Sequence, residues 1–438
     1  MKNNNSITVI GGGLAGSEAA YQLLKRGFNV TLYEMRPKVM TPAHKTDNLA
    51  EVVCSNSFGS NDPNTSGGLL KRELKLLDSL LLRVAEENSI PAGHALAIDR
   101  DIFSEKITKE LETFKNLTIV RDEVKKIPFD VPVIIATGPL TSKELAFSLM
   151  KFTGRENLFF YDATSPIVEA DSINRDIVFP ASRYDRGGAD YLNAPFTEEE
   201  YKRFYTELLN AEKVPLKEFE KHLFFEACLP IEELAVRGER TLAFGPLKPI
   251  GLTDPRTGKM PYAVVQLRQD NIAANHYQLV GFQTRLTWSE QRRVFRLIPG
   301  LEKAEFVRFG VMHRNSYINA PLILNRFFQT KDIKDIFIVG QLSGLEGYVE
   351  AIASGLYAGI MMAKYLNNEK LIAPPRSTAL GALGYYLENA NYKNFQPTKF
   401  VFGLLEPLGI KIKDKRERRK ALSQRAAEQF EFWRKKFL

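Results

Sequence analysis

Ile7-Thr8-Val9-Ile10-Gly11-Gly12-Gly13-Leu14-Ala15-Gly16 lies at the start of the chain and decides its fold. A β-branched run leads directly into a G-x-G-x-x-G pattern; a helical stretch, Ala15 to Lys25, and a second strand, Asn29 to Tyr33, follow. The spacing predicts a strand, helix and parallel strand. Glycines at these places permit a tight turn and close approach of backbone to a pyrophosphate, and the helix N-terminus behind them favours negative charge. Glu34, eighteen residues after Gly16, is placed to accept hydrogen bonds from ribose hydroxyls. An acid there suits an unphosphorylated ribose, so FAD or NAD fits better than NADP.

Two later stretches repeat the theme. Val133-Ile134-Ile135-Ala136-Thr137-Gly138 is a buried strand ending at a glycine. Ile336-Phe337-Ile338-Val339-Gly340-Gln341 leads through Gly344 and Gly347 into a helix, Tyr348 to Leu366, whose N-terminus is expected to face the flavin ring. Three such signals in order argue for FAD as the tightly held cofactor.

The remaining chain bounds the architecture. With 438 residues, 44% hydrophobic and 26% charged, the chain is long enough for two or three domains. Residues 38 to 68 lack periodicity and read as a long functional loop carrying Cys54. Leu69 to Glu87 and Ile102 to Phe114 have helical spacing, Leu117 to Val120 reads as a strand, 195 to 222 reads as helix, and 241 to 310 alternates short strands with turns. We expect an α/β chain: a Rossmann-like FAD-binding domain, a parallel sheet with flanking helices, over 1–165 and 305–438, with an α+β substrate domain inserted at 166–304 and a basic C-terminal helix.

Composition also limits function. Apolar runs are strand-length, far short of the roughly 20 residues of a membrane helix. The polar N-terminus lacks an apolar signal core, so a cytoplasmic protein without membrane contact is expected. The two cysteines, Cys54 and Cys228, and five scattered histidines offer no disulfide framework and no metal-ligand spacing, and no metal is expected. Net charge is +8, and Lys411 to Leu438 holds eleven Lys or Arg against four acids. This tail is either a phosphate-binding surface or a solvated face with internal pairs such as Glu417 and Lys420.

Beyond these motifs the chain resembles one family throughout. The glycine run through Ala20, the block Tyr33-Glu34-Met35-Arg36-Pro37, the loop Thr41 to Thr46 through Cys54-Ser55-Asn56-Ser57-Phe58, the segment Phe225 to Glu232, Val311-Met312-His313-Arg314-Asn315 with Asn319-Ala320-Pro321, and Gly340-Gln341 through Glu350 are all similar to the folate-dependent tRNA (uracil-5-)-methyltransferases, TrmFO. Membership implies that reduced FAD conveys a methylene group from 5,10-methylenetetrahydrofolate to C5 of a T-loop uridine in tRNA, with NADH or NADPH as reductant and no obligate protein partner.

The resemblance also assigns residues. Gly11, Gly12, Gly13, Leu14, Ala15, Gly16, Glu34, Met35, Arg36, Thr137, Gly138, Gly340, Gln341, Gly347, Tyr348 and Glu350 would hold the flavin. His313 would stack on the folate, and Arg314 would bind either folate carboxylate or RNA phosphate. Cys228 is expected as the thiolate that adds to uracil C6, with Cys54 assisting; exchanged roles stay open. Lys415, Arg416, Arg418 and Arg419 are the candidate RNA contacts. The same chemistry on ribosomal RNA, wobble-uridine modification like that of MnmG, and a plain flavin reductase with structural cysteines are the alternatives.

Overall fold

The computed structural model describes residues 5–154, 158–185, 188–215 and 229–438. The opening βαβ unit forms as the glycine pattern predicts: strand Ser6–Ile10, helix Leu14–Leu24 and strand Asn29–Tyr33. They belong to a five-stranded parallel sheet ordered Ile336–Ile338, Val133–Ile135, Ser6–Ile10, Asn29–Tyr33, Leu117–Val120. Val133–Ile135 and Ile336–Ile338 are buried at every residue and read as continuous hydrophobic runs, whereas Ser6–Ile10 and Asn29–Tyr33 alternate, with Thr8 and Thr31 half-buried.

Helix Leu14–Leu24 is buried along its whole length and lies against helix Tyr348–Leu366. Small residues allow this approach. A Cβ at Gly355 would come within 2.0 Å of the Ala15 carbonyl oxygen, so only glycine fits there. Consequently two helices with distant sequence positions point their N-termini at one edge of the sheet.

A second sheet is antiparallel, ordered Phe179–Pro180, Tyr191–Phe196, Ala263–Gln269, His276–Leu279, Ile167–Glu169, Phe306–Arg308. Its core is separate and aromatic, with Phe196, Tyr201, Phe204, Phe282 and Phe295 fully buried. Each such side chain contributes about 1.5–3 kcal/mol by leaving water. A two-stranded ribbon, Leu158–Ala163 with Met312–Tyr317, runs where the chain passes between the two sheets.

Several local readings are corrected. The stretch 195 to 222 is not one helix: Pro195 and Phe196 end the strand Tyr191–Phe196, and a Thr197–Glu200 capping box starts a helix that stops at Asn210. Residues 216–222 of that stretch lie outside the described residues. Leu69 to Glu87 divides into Ser66–Leu76 and Leu80–Glu87, because Asp78 adopts φ 57° and Ser79 caps the second helix through Leu82. The loop 38 to 68 holds a short strand, Ser57–Ser60, paired with Ala95–Ile98.

The tail forms helix Lys415–Phe437, capped by Asp414. Leu422, Ala426, Phe430 and Trp433 form its buried stripe, and the Trp433 indole donates to the Ile372 carbonyl at 2.9 Å. Lys415 to Lys420 stay exposed, and none of them forms an ion pair among the described residues. No described helix is long and apolar enough to cross a membrane.

Candidate active site

A cavity of about 400 Å³ opens at the carboxyl edge of the parallel sheet, where Ile10, Tyr33, Ala136 and Gly340 follow or end its strands. Gly11, Gly13, Leu14 and Ala15 line it. Gly11 takes φ +102°, and a Cβ there would lie 2.6 Å from the Ala136 carbonyl oxygen, so the turn demands glycine. Gly13 caps helix Leu14–Leu24 without a side-chain partner, and a Cβ on it would meet nothing within 4 Å. The open N-terminal N–H groups therefore face free space suited to an anion. Gly12 and Gly16 serve the turn from behind: the Gly12 N–H donates to Glu34 Oε2 at 2.9 Å, and Gly16 packs on the Gly11 carbonyl.

Glu34 lines the cavity with both oxygens already engaged. Burial opposes its ionisation, but hydrogen bonds from the Arg36 side chain, the Arg36 N–H and the Gly12 N–H outweigh it and hold the carboxyl below its usual value. Met35 and Arg36 also line the site. The Arg36 guanidinium is spoken for by Glu34 at 2.9 Å, Glu51 at 2.9 Å and the Thr46 carbonyl at 3.0 Å. Arg36 thus holds the loop beneath the cavity in place.

At the other end stand Thr137, Gly138, Gly340, Gln341, Gly347 and Tyr348. Gly347 and Tyr348, at the start of helix Tyr348–Leu366, bring a second helix N-terminus to the same space, with the Glu350 carboxylate packed against Gly347 in its first turn. Glu350 is absent from the lining; its buried carboxylate accepts from the Phe400 N–H at 2.9 Å. Burial pushes the Glu350 carboxyl up, and its part is to hold the segment around Phe400.

Cys54 is half-buried on the cavity wall. The Tyr348 hydroxyl accepts from the N–H groups of Cys54 at 2.8 Å and Ser55 at 3.0 Å. From the second sheet, Gln278 Nε2 donates to the Cys54 carbonyl at 3.0 Å and Arg268 donates to Ser55 Oγ at 2.7 Å. Asn56 Nδ2 donates back to the Gln269 carbonyl at 3.0 Å. Beneath them Arg100 donates twice to Asp270 Oδ1, at 3.0 and 2.9 Å. The guanidinium groups of Arg100, Arg268 and Arg308 all interact electrostatically with Cys54.

The loop contributes a residue that carried no role in the sequence reading. His44 lines the cavity with Nδ1 2.6 Å from Thr41 Oγ1. Burial, reinforced by Arg36, pushes it down to about 4, so its ring is neutral at neutral pH. Its position in the motif Thr41 to Thr46 was the only available signal.

Cys228 lies outside the described residues, which resume at Leu229. The Ile231 N–H then donates to the carbonyl of Gln283, a cavity residue, at 2.8 Å. His313 and Arg314 pair through their backbones with Asp162 and Tyr161. Their side chains are not described, whereas the neighbouring Asn315 is buried and lines the cavity. Lys415, Arg416, Arg418 and Arg419 sit on the exposed first turns of the terminal helix and take no part in the lining.

Comparison with known proteins bears on the fold and the family. The family described as glucose inhibited division protein A matches residues 6–370. The solved structure of Aquifex aeolicus GidA superposes with a TM-score of 0.70 at 16% identity, covering 97% of this chain and 76% of that one, which bears on the fold. Methylenetetrahydrofolate--tRNA-(uracil-5-)-methyltransferase TrmFO of Bacillus pumilus is 55% identical over 96% of this chain and 97% of its own. The TrmFO of Bacillus subtilis is 54% identical over 97% and 98%. The chain belongs to the TrmFO family of methylenetetrahydrofolate--tRNA-(uracil-5-)-methyltransferases, within the wider glucose inhibited division protein A family.

Proposed function

We propose that this protein methylates C5 of a T-loop uridine in tRNA, with FAD in the cavity, 5,10-methylenetetrahydrofolate as carbon donor, and NADH or NADPH as reductant. The observation that carries the reading is that one cavity joins the glycine cradle, the N-terminal ends of two helices and Cys54. The fit to a dinucleotide rests on the open space above Gly13 and on Glu34, held ionised where a ribose would lie. FAD, when bound, supplies the reducing equivalents and conveys the one-carbon unit.

This chain's own residues handle the uracil. C5 of uracil is a weak nucleophile until a thiolate adds to C6, which pushes electron density onto C5. We assign the addition to Cys228, with Cys54 as the assisting thiol on the cavity wall. Once C5 is bonded to the methylene carbon, loss of the C5 proton would break that carbon's bond to its carrier, and a hydride equivalent supplied by bound reduced flavin would make it methyl as the Cys228 thiolate leaves C6 and the C5–C6 double bond returns. Tyr348, Gln278 and Arg268 fix the Cys54 segment so that this thiol does not have to be ordered during the reaction. Gly11, Gly13 and Arg36 organise the cofactor end, and Asn315 beside His313 and Arg314 supports placing the folate along that strand. The separate aromatic core supports reading 166–304 as an inserted substrate unit.

RNA containing 5-fluorouridine tests the covalent step, because fluorine at C5 cannot leave as a proton and traps the adduct. Wild-type protein is expected to form a stable protein–RNA adduct and Cys228→Ala to form none. An unchanged adduct in both Cys228→Ala and Cys54→Ala contradicts the covalent mechanism.

A further inference from the structure

Away from the cavity, three aromatic rings form a near-parallel ladder on the second unit. Phe306 and Phe309 stack with centroids 5.2 Å apart and planes 16° apart; Phe309 and Trp288 follow at 5.5 Å and 14°. Phe306 is packed against the aromatic core, whereas Trp288, at the other end, is 62% exposed. The ladder thus ends in solvent.

The surroundings select a partner. Arg292, one turn along helix Trp288–Phe295, sets its guanidinium 5.3 Å from the Phe309 centroid. It is exposed and forms no ion pair among the described residues. Glu290, Arg292 and Arg293 share that short helix, and the exposed Val214 walls the cavity beside Trp288. An aromatic plane beside a free cation matches a planar base attached to a phosphate.

Position relates this surface to the reaction. Trp288 walls a cavity of about 280 Å³ together with Arg285, Leu286, Thr287, Gly310 and Val311. Gln283, two residues before Arg285, lines the main cavity. One short segment, Gln283 to Trp288, thus contributes to the walls of both cavities.

We infer that the Trp288 indole is a stacking platform for an unpaired base of the substrate RNA other than the reacting uracil, with Arg292 facing the backbone phosphate. The inference rests on the RNA-methylating function and adds to it the surface that holds a neighbouring nucleotide.

The chain has two tryptophans, and Trp433 is 1% exposed, so Trp288 is the indole that RNA can reach. Adding unmodified tRNA transcript to the flavin-loaded enzyme is expected to quench tryptophan emission, and to leave it unchanged in Trp288→Phe. Trp288→Ala is expected to weaken tRNA binding about 5- to 150-fold, the range of one lost base–aromatic stack. KM for tRNA rises accordingly, while Trp288→Phe stays near wild type and NAD(P)H-driven flavin reduction without RNA is unchanged.

Three results overturn the inference: methylation by wild type with no quench and no change in Trp288→Ala; equal losses in the Phe and Ala variants; or sedimentation showing that Trp288→Ala dissociates an oligomer, which assigns the ladder to a second copy. Absence of methylation by wild type removes the underlying function as well, and so is distinguishable from all three.

Discussion

The Tyr348 hydroxyl lies 2.8 Å from the Cys54 amide nitrogen and accepts its N–H, joining residues 294 positions apart. The same oxygen accepts from Ser55, so one phenol satisfies two successive amides at the thiol. Burial pushes the Tyr348 phenol up, keeping it neutral across the working pH range.

Tyr348→Phe leaves both amides without their acceptor, at a cost of about 1–3 kcal/mol each. We expect flavin content to persist, kcat for methylation to fall at least about tenfold, and the rate of Cys54 alkylation, followed by peptide mass spectrometry, to change. Unaltered alkylation together with full activity refutes the positioning role.

The Arg100–Asp270 pair ties the first unit to the second beneath the thiol, with both side chains about nine-tenths buried. Arg100→Leu strands a buried carboxylate and is expected to destabilise by about 3–5 kcal/mol in urea titration. Arg100→Leu combined with Asp270→Leu should recover much of that loss. A double variant as unstable as the sum of the singles would show that the two do not act as a pair.

Glu73 accepts from the Ala379 and Leu380 N–H groups inside the core, and burial pushes its carboxyl up to about 8. The folded value lies above the ordinary carboxyl value of 4.5, so the folded state binds more protons between the two. The stabilising contribution is complete below about pH 4.5 and is lost as pH rises through about 8. Thermal melts should therefore show Glu73→Gln losing less stability than wild type over that window, and parallel pH curves would contradict this.

Lys415, Arg416, Arg418 and Arg419 lie exposed on the first turns of the terminal helix, whereas its later turns carry the buried stripe. If all four touch phosphate, replacing them with Gln should reduce the slope of log K against log salt by about 3 while flavin content stays constant. An unchanged slope assigns them to a solvated face.

How much of this was legible in the sequence depended on range. The glycine turn, Glu34 and helix Tyr348–Leu366 announce themselves locally, since each needs only neighbouring residues to adopt its shape. The break at Asp78 was hidden because the leucine spacing of Leu74, Leu77 and Leu81 continues across it, although Ser79 offered a cap. The support around Cys54 was invisible for a different reason. Arg268 and Gln278 stand 213 and 224 positions from the groups they hold, on strands whose alternating pattern reports only burial. Glu350 shows the converse: it follows Tyr348 so closely that it reads as a cavity residue, yet the helix turns its carboxylate toward Phe400.

The most direct measurement uses purified enzyme, unmodified tRNA transcript, NAD(P)H and methylenetetrahydrofolate carrying ¹³C in the methylene, with mass spectrometry of the digested RNA. The account predicts ¹³C-labelled 5-methyluridine in the T-loop from wild type and none from Cys228→Ala. A flavin that is bound and reducible, with no labelled carbon in the tRNA, would contradict it.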